Sequence, residues 1–164
     1  MKARIRAALA GRRRLEIAER AGYPAAVTLL LYEDGGEYHV ILTARTSKVE
    51  HHKNEVSFPG GARDPGDLDA LATALRETDE EIGVRPEDVE VLGALDDLVT
   101  VSKFRVTPFV GVIPFPYEFR PNPHEVAEIL QVPVSHLLDA ANHFEEERER
   151  AGTRVRMRSF RFRD

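Results

Sequence analysis

Three glutamates and an arginine crowd one short stretch, Arg76-Glu77-x-x-Glu80-Glu81. Carboxylates three and four residues apart on a helix repel one another by roughly 0.2–0.5 kcal/mol per pair. A hard cation reverses that penalty, because Mg²⁺ takes oxygen ligands and commonly shares them with substrate phosphates. Taken alone, E-x-x-E-E is most simply an acidic solvent face. Its upstream neighbour changes the reading. Gly60-Gly61-Ala62-Arg63-Asp64-Pro65-Gly66-Asp67 is a glycine-rich loop leading straight into the acidic run, and such loops let backbone approach phosphate or metal closely. Together the two point to metal-assisted chemistry at a phosphate group.

The element that must carry these groups is a helix over Leu68–Ile82, with Asp67 as its N-cap, Gly83 as its stop and Pro86 just beyond. On a wheel of about 100° per residue with Glu77 at zero, Glu81 falls near about +40° and Glu80 near about −60°. Leu68, Leu71, Ala72, Leu75 and Ile82 occupy roughly 120–220°. The expectation is a helix anchored by that apolar stripe with Glu77, Glu80 and Glu81 facing outward, and with Asp79 at the margin of the buried stripe.

Around this helix, Ala25–Tyr32 and Tyr38–Ala44 read as a strand pair joined at Glu33-Asp34-Gly35-Gly36. A polar stretch, Arg45–Asn54, carries His51 and His52 and runs into Glu55–Phe58 and a break at Pro59-Gly60-Gly61. Val89–Leu95 and Val106–Ile113 read as strands, the second made imperfect by Pro108. Val126–Val134 is apolar and ambiguous, and Ser135–Ala141 suits a short helix. Glu145–Arg150 is a solvated charge run. Thr153–Arg163 alternates Arg with apolar residues and changes phase before Phe160, which predicts a bulge or bend in a strand. Near the start, Ile5, Ala8 and Leu9, then Leu15 and Ala18, suggest a basic helix interrupted at Gly11 and ended by Pro24. Residues 1–22 are read as this basic segment and 23–164 as the one folded domain.

A chain of 164 residues, 42% hydrophobic, supports one core. It has no cysteine, so disulfides, thiolate metal sites and thiol nucleophiles are excluded. No apolar run approaches the ~20 residues of a membrane span, and no secretory apolar region is present; the expectation is a cytoplasmic protein without membrane attachment. The net charge of −5 divides unevenly, with +5 in residues 1–20, +4 in 153–164 and −14 between them. An acidic middle suits divalent cations. Basic ends suit phosphates, or are merely a solvated helix and an edge strand.

The loop and helix together resemble the Nudix hydrolase signature, G-x5-E-x7-R-E-U-x-E-E-x-G-U, where U is bulky and aliphatic. The spacing here is one residue longer, Asp67 stands for the first Glu, and Thr78 replaces an aliphatic residue. Those departures are similar to the coenzyme A pyrophosphatase branch, whose pattern is matched by Pro59-Gly60-Gly61-Ala62-Arg63-Asp64-Pro65-Gly66-Asp67 and by Ala72-Thr73-Ala74-Leu75-Arg76-Glu77. Upstream, Ile41-Leu42-Thr43-Ala44-Arg45, His52 and Val56-Ser57-Phe58-Pro59 match as well, whereas Thr46, Glu50 and Asn54 depart. The resemblance spans about Leu30 to Leu138.

The resemblance implies an α/β fold, an α/β/α sandwich around a mixed β-sheet. It implies Mg²⁺ or Mn²⁺ held by Glu77 and Glu81, with Glu80 completing the site or handling water and Arg76 orienting the helix carboxylates. Glu125, in Asn122-Pro123-His124-Glu125-Val126, is the candidate general base, with a surface glutamate as the plainer reading. Arg45 is a candidate for substrate phosphate. His51 and His52 could touch substrate or metal, though adjacent loop histidines are more simply solvent-exposed. The arginines at 154–163 are read as an exposed edge, with a homodimer contact or phosphate binding as alternatives. The implied reaction is hydrolysis of coenzyme A or an acyl derivative to 3′,5′-ADP and 4′-phosphopantetheine. Another small-molecule nucleoside diphosphate derivative, such as ADP-ribose or a dinucleotide, is the alternative substrate. A non-catalytic module contacting nucleic acid through its basic ends is disfavoured, because all three glutamates of the motif are present.

Overall fold

A computed structural model describes residues 1–46, 56–150 and 153–163. The expected turn closes a hairpin: β1 (Tyr23–Asp34) and β2 (Glu37–Arg45) pair antiparallel, with Asp34 opposite Glu37. Gly35 and Gly36 both adopt positive φ, 57° and 88°. That is the backbone a two-residue hairpin turn demands and glycine supplies without strain. The strand register puts Leu30 opposite Ile41 and Leu31 opposite Val40. Successive side chains of a strand point to opposite faces, and both faces are apolar here.

Beyond the hairpin come β3 (Val56–Ser57), β4 (Gly60–Ala62), β5 (Glu90–Ala94), β6 (Leu98–Val99), β7 (Phe104–Val112) and β8 (Val126–Pro133). Among the described residues they complete an eight-stranded sheet with the main path β3-β2-β1-β7-β5; β4 pairs with β1, β6 with β7 and β8 with β2. β1 and β7 run parallel and the other pairs antiparallel, so the sheet is mixed. Pro108 fits within β7 because it lies where the β5 ladder has ended, at Ala94–Phe109, and the β6 ladder has not begun, at Leu98–Val106.

Helix α2 (Ala70–Ile82) covers one face, where Leu30, Tyr32 and Ile41 gather with Ile82, Val84 and Val126. On the other face Leu31, Val40, Leu92, Val110 and Val132 receive Ile5 and Leu9 of α1 (Lys2–Ala10) and Val134 and Leu137 of α3 (Val134–Leu138). This is the α/β/α sandwich expected. Each face buries its row of side chains against helices, which is why β1 reads as a nearly unbroken apolar run rather than an alternating one.

Several expectations need correction. Pro24 lies inside β1, opposite Arg105 of β7, and ends nothing. The N-terminal helix stops at Ala10 and does not resume at Leu15. The Asp96 carboxylate accepts the Leu15 N–H at 2.7 Å and Asp97 accepts that of Ile17 at 3.0 Å. These carboxylates satisfy the donors in an extended path. Lys2 and Arg6 bind Glu90, and Arg14 binds Asp97, so much of the basic N-terminus neutralises the acidic middle. Pro59-Gly60-Gly61 is more than a break, since β4 begins at Gly60. The Glu145–Arg150 run is part of a strand, β9 (His143–Arg150), paired with β10 (Thr153–Phe160). Their register is regular, without the expected bulge; it sets Arg156 opposite Glu147 and Arg158 opposite Glu145. Opposite charges across a strand pair stabilise it where apolar alternation is weak. Alternation continues to the strand end, with Met157 and Ser159 half-buried and Phe160 exposed, and beyond it Phe162 turns into the apolar cluster beside Leu137. Glu50, His51, His52 and Asn54 lie outside the described residues.

Candidate active site

Helix α2 begins two residues later than the sequence implies. Its N-cap is Asp69, whose side chain accepts the Ala72 N–H at 2.8 Å. Asp67 is thereby free for another task. At the other end Gly83 adopts φ 71° and returns its N–H to Asp79, the left-handed stop that glycine permits.

The face α2 buries is not the expected one. Thr73, Ala74, Thr78, Glu81 and Ile82 are buried, whereas Leu71, Ala72 and Leu75 are only half-buried, Asp79 is exposed, and Leu68 falls outside the helix. Relative to the apolar stripe, the helix is rolled by roughly a quarter turn or slightly more. The reason is close approach: Ala74, Thr73 and Thr78 are small enough to let α2 lie tightly against β1. Thr78 donates its hydroxyl to the Ala74 carbonyl at 2.7 Å, and its Oγ1 lies 3.0 Å from that of Thr28. A threonine where the Nudix signature has an aliphatic residue thus finds a hydroxyl partner in the sheet. The roll carries Glu77 and Glu81 into the seam between α2 and β4.

The seam is shaped by two glycines. A Cβ on Gly60, at φ 150°, would lie 2.3 Å from the Ala26 carbonyl oxygen, and one on Gly61 would lie 2.5 Å from the Glu77 carboxylate. Only glycine fits at Gly60, and a side chain at Gly61 would have to displace the Glu77 carboxylate. The Gly60 N–H donates to Glu81 Oε2 at 3.3 Å, and Arg45 Nη1 lies 3.7 Å from Glu81 Oε1. The Glu81 side chain is 3% exposed. Burial pushes its carboxyl up to about 7, an effect opposed by the Gly60 N–H and Arg45 and reinforced by Glu125 and Glu77. Burial also raises Glu77, against the pull of Arg76, with Glu80 and Glu125 adding to the rise. Glu77, Glu81 and Glu125 therefore share one electrostatic neighbourhood. Glu125 is held by the Asn122 amide at 3.2 Å, while the Asn122 N–H donates to the Glu81 carbonyl at 2.8 Å. Asn122, missed in the sequence, ties the loop to the helix.

Glu80 departs from the expected triad. It is 56% exposed and accepts from Arg76 Nη1 at 2.9 Å. Among the described residues, no three carboxylates or imidazoles stand in one ready-made metal cage. Glu77 and Glu81, with Glu125 nearby, are the inward set. Arg76 also bridges Glu77 at 3.0 Å and Asp67 at 2.9 Å, which agrees with an orienting role. Its hydrogen bond to Asp67, with those from the Asp64 N–H and Thr73, holds that carboxyl well below the ordinary range. Arg45 reaches the same seam, and its buried Nε has no hydrogen-bond partner among the described residues.

A helix offering desolvated carboxylates beside a Gly-Gly loop, over a mixed sheet covered on both faces, defines a class. The NUDIX domain profile matches residues 22–151, and the chain belongs to the Nudix family. Among curated relatives, it is 36% identical to the peroxisomal coenzyme A diphosphatase NUDT7 of Mus musculus over 85% of this chain and 59% of that protein. It is 41% identical to the Nudix hydrolase NudL of Pectobacterium atrosepticum over 72% of this chain and 62% of that protein. It is 39% identical to the mitochondrial Nudix hydrolase 15 of Arabidopsis thaliana over 85% of this chain and 50% of that protein. The chain thus spans about half to three fifths of the length of these relatives. Among solved structures, an Ap4A hydrolase of C. elegans superposes with a TM-score of 0.59 at 19% identity, covering 71% of this chain and 83% of that one. The Nudix hydrolase RenU of M. smegmatis superposes with a TM-score of 0.59 at 24% identity, covering 71% and 73%. These two likenesses concern the fold. Two relatives are named for peroxisome and mitochondrion, so family membership does not specify the cytoplasm. No helix among the described residues is long and apolar enough to cross a membrane.

Proposed function

We propose that this protein is a Mg²⁺- or Mn²⁺-dependent hydrolase of a diphosphate linkage, acting on coenzyme A or its acyl derivatives. The observation that carries this reading is the pair Glu77 and Glu81, desolvated, mutually repelling and set on Gly60 and Gly61. An all-oxygen donor set whose members raise one another's pKa suits a hard cation. Glu77 and Glu81 would hold it, and when bound the ion supplies charge neutralisation and a more acidic water. Glu125, its carboxylate oriented by the Asn122 amide, would serve as the general base. Arg45 meets a phosphate oxygen with the guanidinium now beside Glu81. Arg76 keeps Glu77 and the Asp67 loop in place, and Glu80 stays on the solvent side as a reserve ligand. Positioning and electrostatics then carry most of the rate.

Coenzyme A is favoured by the NUDT7 relative and by the Pro59–Asp67 and Ala72–Glu77 matches. The test is mass spectrometry after incubation with coenzyme A or ADP-ribose and either metal. 3′,5′-ADP with 4′-phosphopantetheine is the expected product pair. AMP with ribose 5-phosphate alone would move the substrate to ADP-ribose. Full turnover by Glu77→Gln would overturn the metal assignment itself.

A further inference from the structure

The regular pairing of β2 with β8 lapses beside Glu125. Ala44 lies opposite Glu128 and Arg45 opposite Val126, so Ala127 has no partner in the ladder. Such a bulge bends the strand and re-aims the side chains next to it. Immediately beyond it stands Thr46, 8% exposed, which departs from the coenzyme A pyrophosphatase pattern. Its N–H donates to the Glu125 carbonyl at 2.9 Å, and its hydroxyl donates to the His124 carbonyl at 3.0 Å. One residue therefore holds both peptide planes that flank the Glu125 Cα. On the other side, the Asn122 carbonyl accepts the N–H groups of Glu125 at 3.1 Å and Val126 at 2.8 Å.

These grips differ in what a side chain contributes. Backbone donors and acceptors persist with almost any residue, whereas the bond to the His124 carbonyl exists only while position 46 carries a hydroxyl. That bond fixes the plane of the His124–Glu125 peptide, and with it the direction in which the Glu125 side chain leaves the backbone. Thr46 also follows Arg45, whose guanidinium lies 3.7 Å from Glu81, so one dipeptide sets the base against the inward carboxylates. We propose that Thr46 is a positioning residue, whose hydroxyl aims Glu125 at the attacking water through the His124 carbonyl. This rests on the general-base reading of Glu125 and goes beyond it by naming what holds that carboxylate in line.

The experiment measures kcat and KM with Mg²⁺ for coenzyme A, or for ADP-ribose if that is the compound hydrolysed. It compares the wild type, Thr46→Val, Thr46→Ser, Glu125→Gln and the double variant Thr46→Val with Glu125→Gln. Valine keeps the shape of threonine and deletes the donor, whereas serine keeps the donor; Thr46→Ala replaces valine should that variant not fold. Displacing a catalytic group by about 1 Å costs up to about a hundredfold, so Thr46→Val is expected to lower kcat about ten- to a hundredfold with KM within about twofold. Thr46→Ser is expected to restore kcat to within about threefold of the wild type. Glu125→Gln removes the base and lowers kcat by about a hundredfold or more. Adding Thr46→Val to it is expected to change kcat by less than about twofold, because the two residues act as a unit. An unchanged kcat in Thr46→Val, a loss that serine does not restore, or additive losses in the double variant would overturn the positioning role alone. Full turnover by Glu125→Gln would overturn the base assignment beneath it, and turnover of neither compound by the wild type would overturn the reaction itself.

Discussion

Glu81→Gln in the metal-free protein should raise stability while abolishing activity. Glu81 is almost fully buried, and its carboxyl is pushed up to about 7 from an ordinary value of 4.5. Each pKa unit corresponds to about 1.4 kcal/mol, so ionised Glu81 destabilises the fold by about 3 kcal/mol, to order of magnitude, relative to the same group unfolded. The sign follows from proton binding. Between about pH 4.5 and 7 the native state holds the proton more tightly than the unfolded chain, so stability is greatest below that window and falls as pH rises through it. A glutamine keeps the shape without the charge. In urea melts with EDTA, the variant is expected to exceed the wild type by about 2–3 kcal/mol at pH 8, with the gap closing near pH 4.5. Added Mg²⁺ should stabilise the wild type at pH 8 by mass action and the variant far less. A variant no more stable than the wild type at pH 8, or a difference flat with pH, would refute the claim that Glu81 is a desolvated, unneutralised carboxylate.

Gly61→Ala would press a methyl into the Glu77 carboxylate at 2.5 Å; kcat should fall about a hundredfold or more for a displaced catalytic group, with the melting temperature little changed. Arg76→Ala leaves nearly buried Asp67 without its guanidinium and should cost about 2–4 kcal/mol at neutral pH. Because Arg76 holds Asp67 low, that contribution is present above about pH 4 and is lost as pH falls through the depressed value, so the cost of the variant should shrink in acid. Thr78→Val strands the Thr28 hydroxyl near the weaker Ala74 contact at 3.3 Å and should cost about 1 kcal/mol, read from denaturant midpoints. Asp97→Asn removes the charge that receives Arg14 at 2.8 Å and weakens its holds on Ile17 and Thr107; trypsin should then cut at Arg12–Arg14 faster, without loss of the core fold.

Local chemistry alone settles a good part of this protein. Gly35-Gly36 fixes the hairpin turn, because two consecutive positive φ angles leave few other residues a place there. Gly83 stops the helix for the same reason, and the Arg76–Glu81 pattern with its Gly-Gly loop marks the acidic site before any fold is known. The N-terminal path after Ala10 was not legible, since the acceptors that straighten it, Asp96 and Asp97, lie some eighty residues away. Nor was the β9–β10 pairing, where charge complementarity between distant stretches replaces apolar alternation.

The roll of α2 is the deepest of these differences. A helical wheel weighs each side chain by its own affinity for water and puts leucines inward and glutamates outward. Packing weighs instead how closely two backbones can approach, and Ala74, Thr73 and Thr78 against Thr28 win that contest, leaving Leu71, Ala72 and Leu75 only half-buried. Which residues could form a cation site was therefore readable from the amino acids. Which of them turn inward — Glu77 and Glu81, with Glu125 approaching from another loop and Glu80 left outside on Arg76 — was decided only when the helix met the sheet.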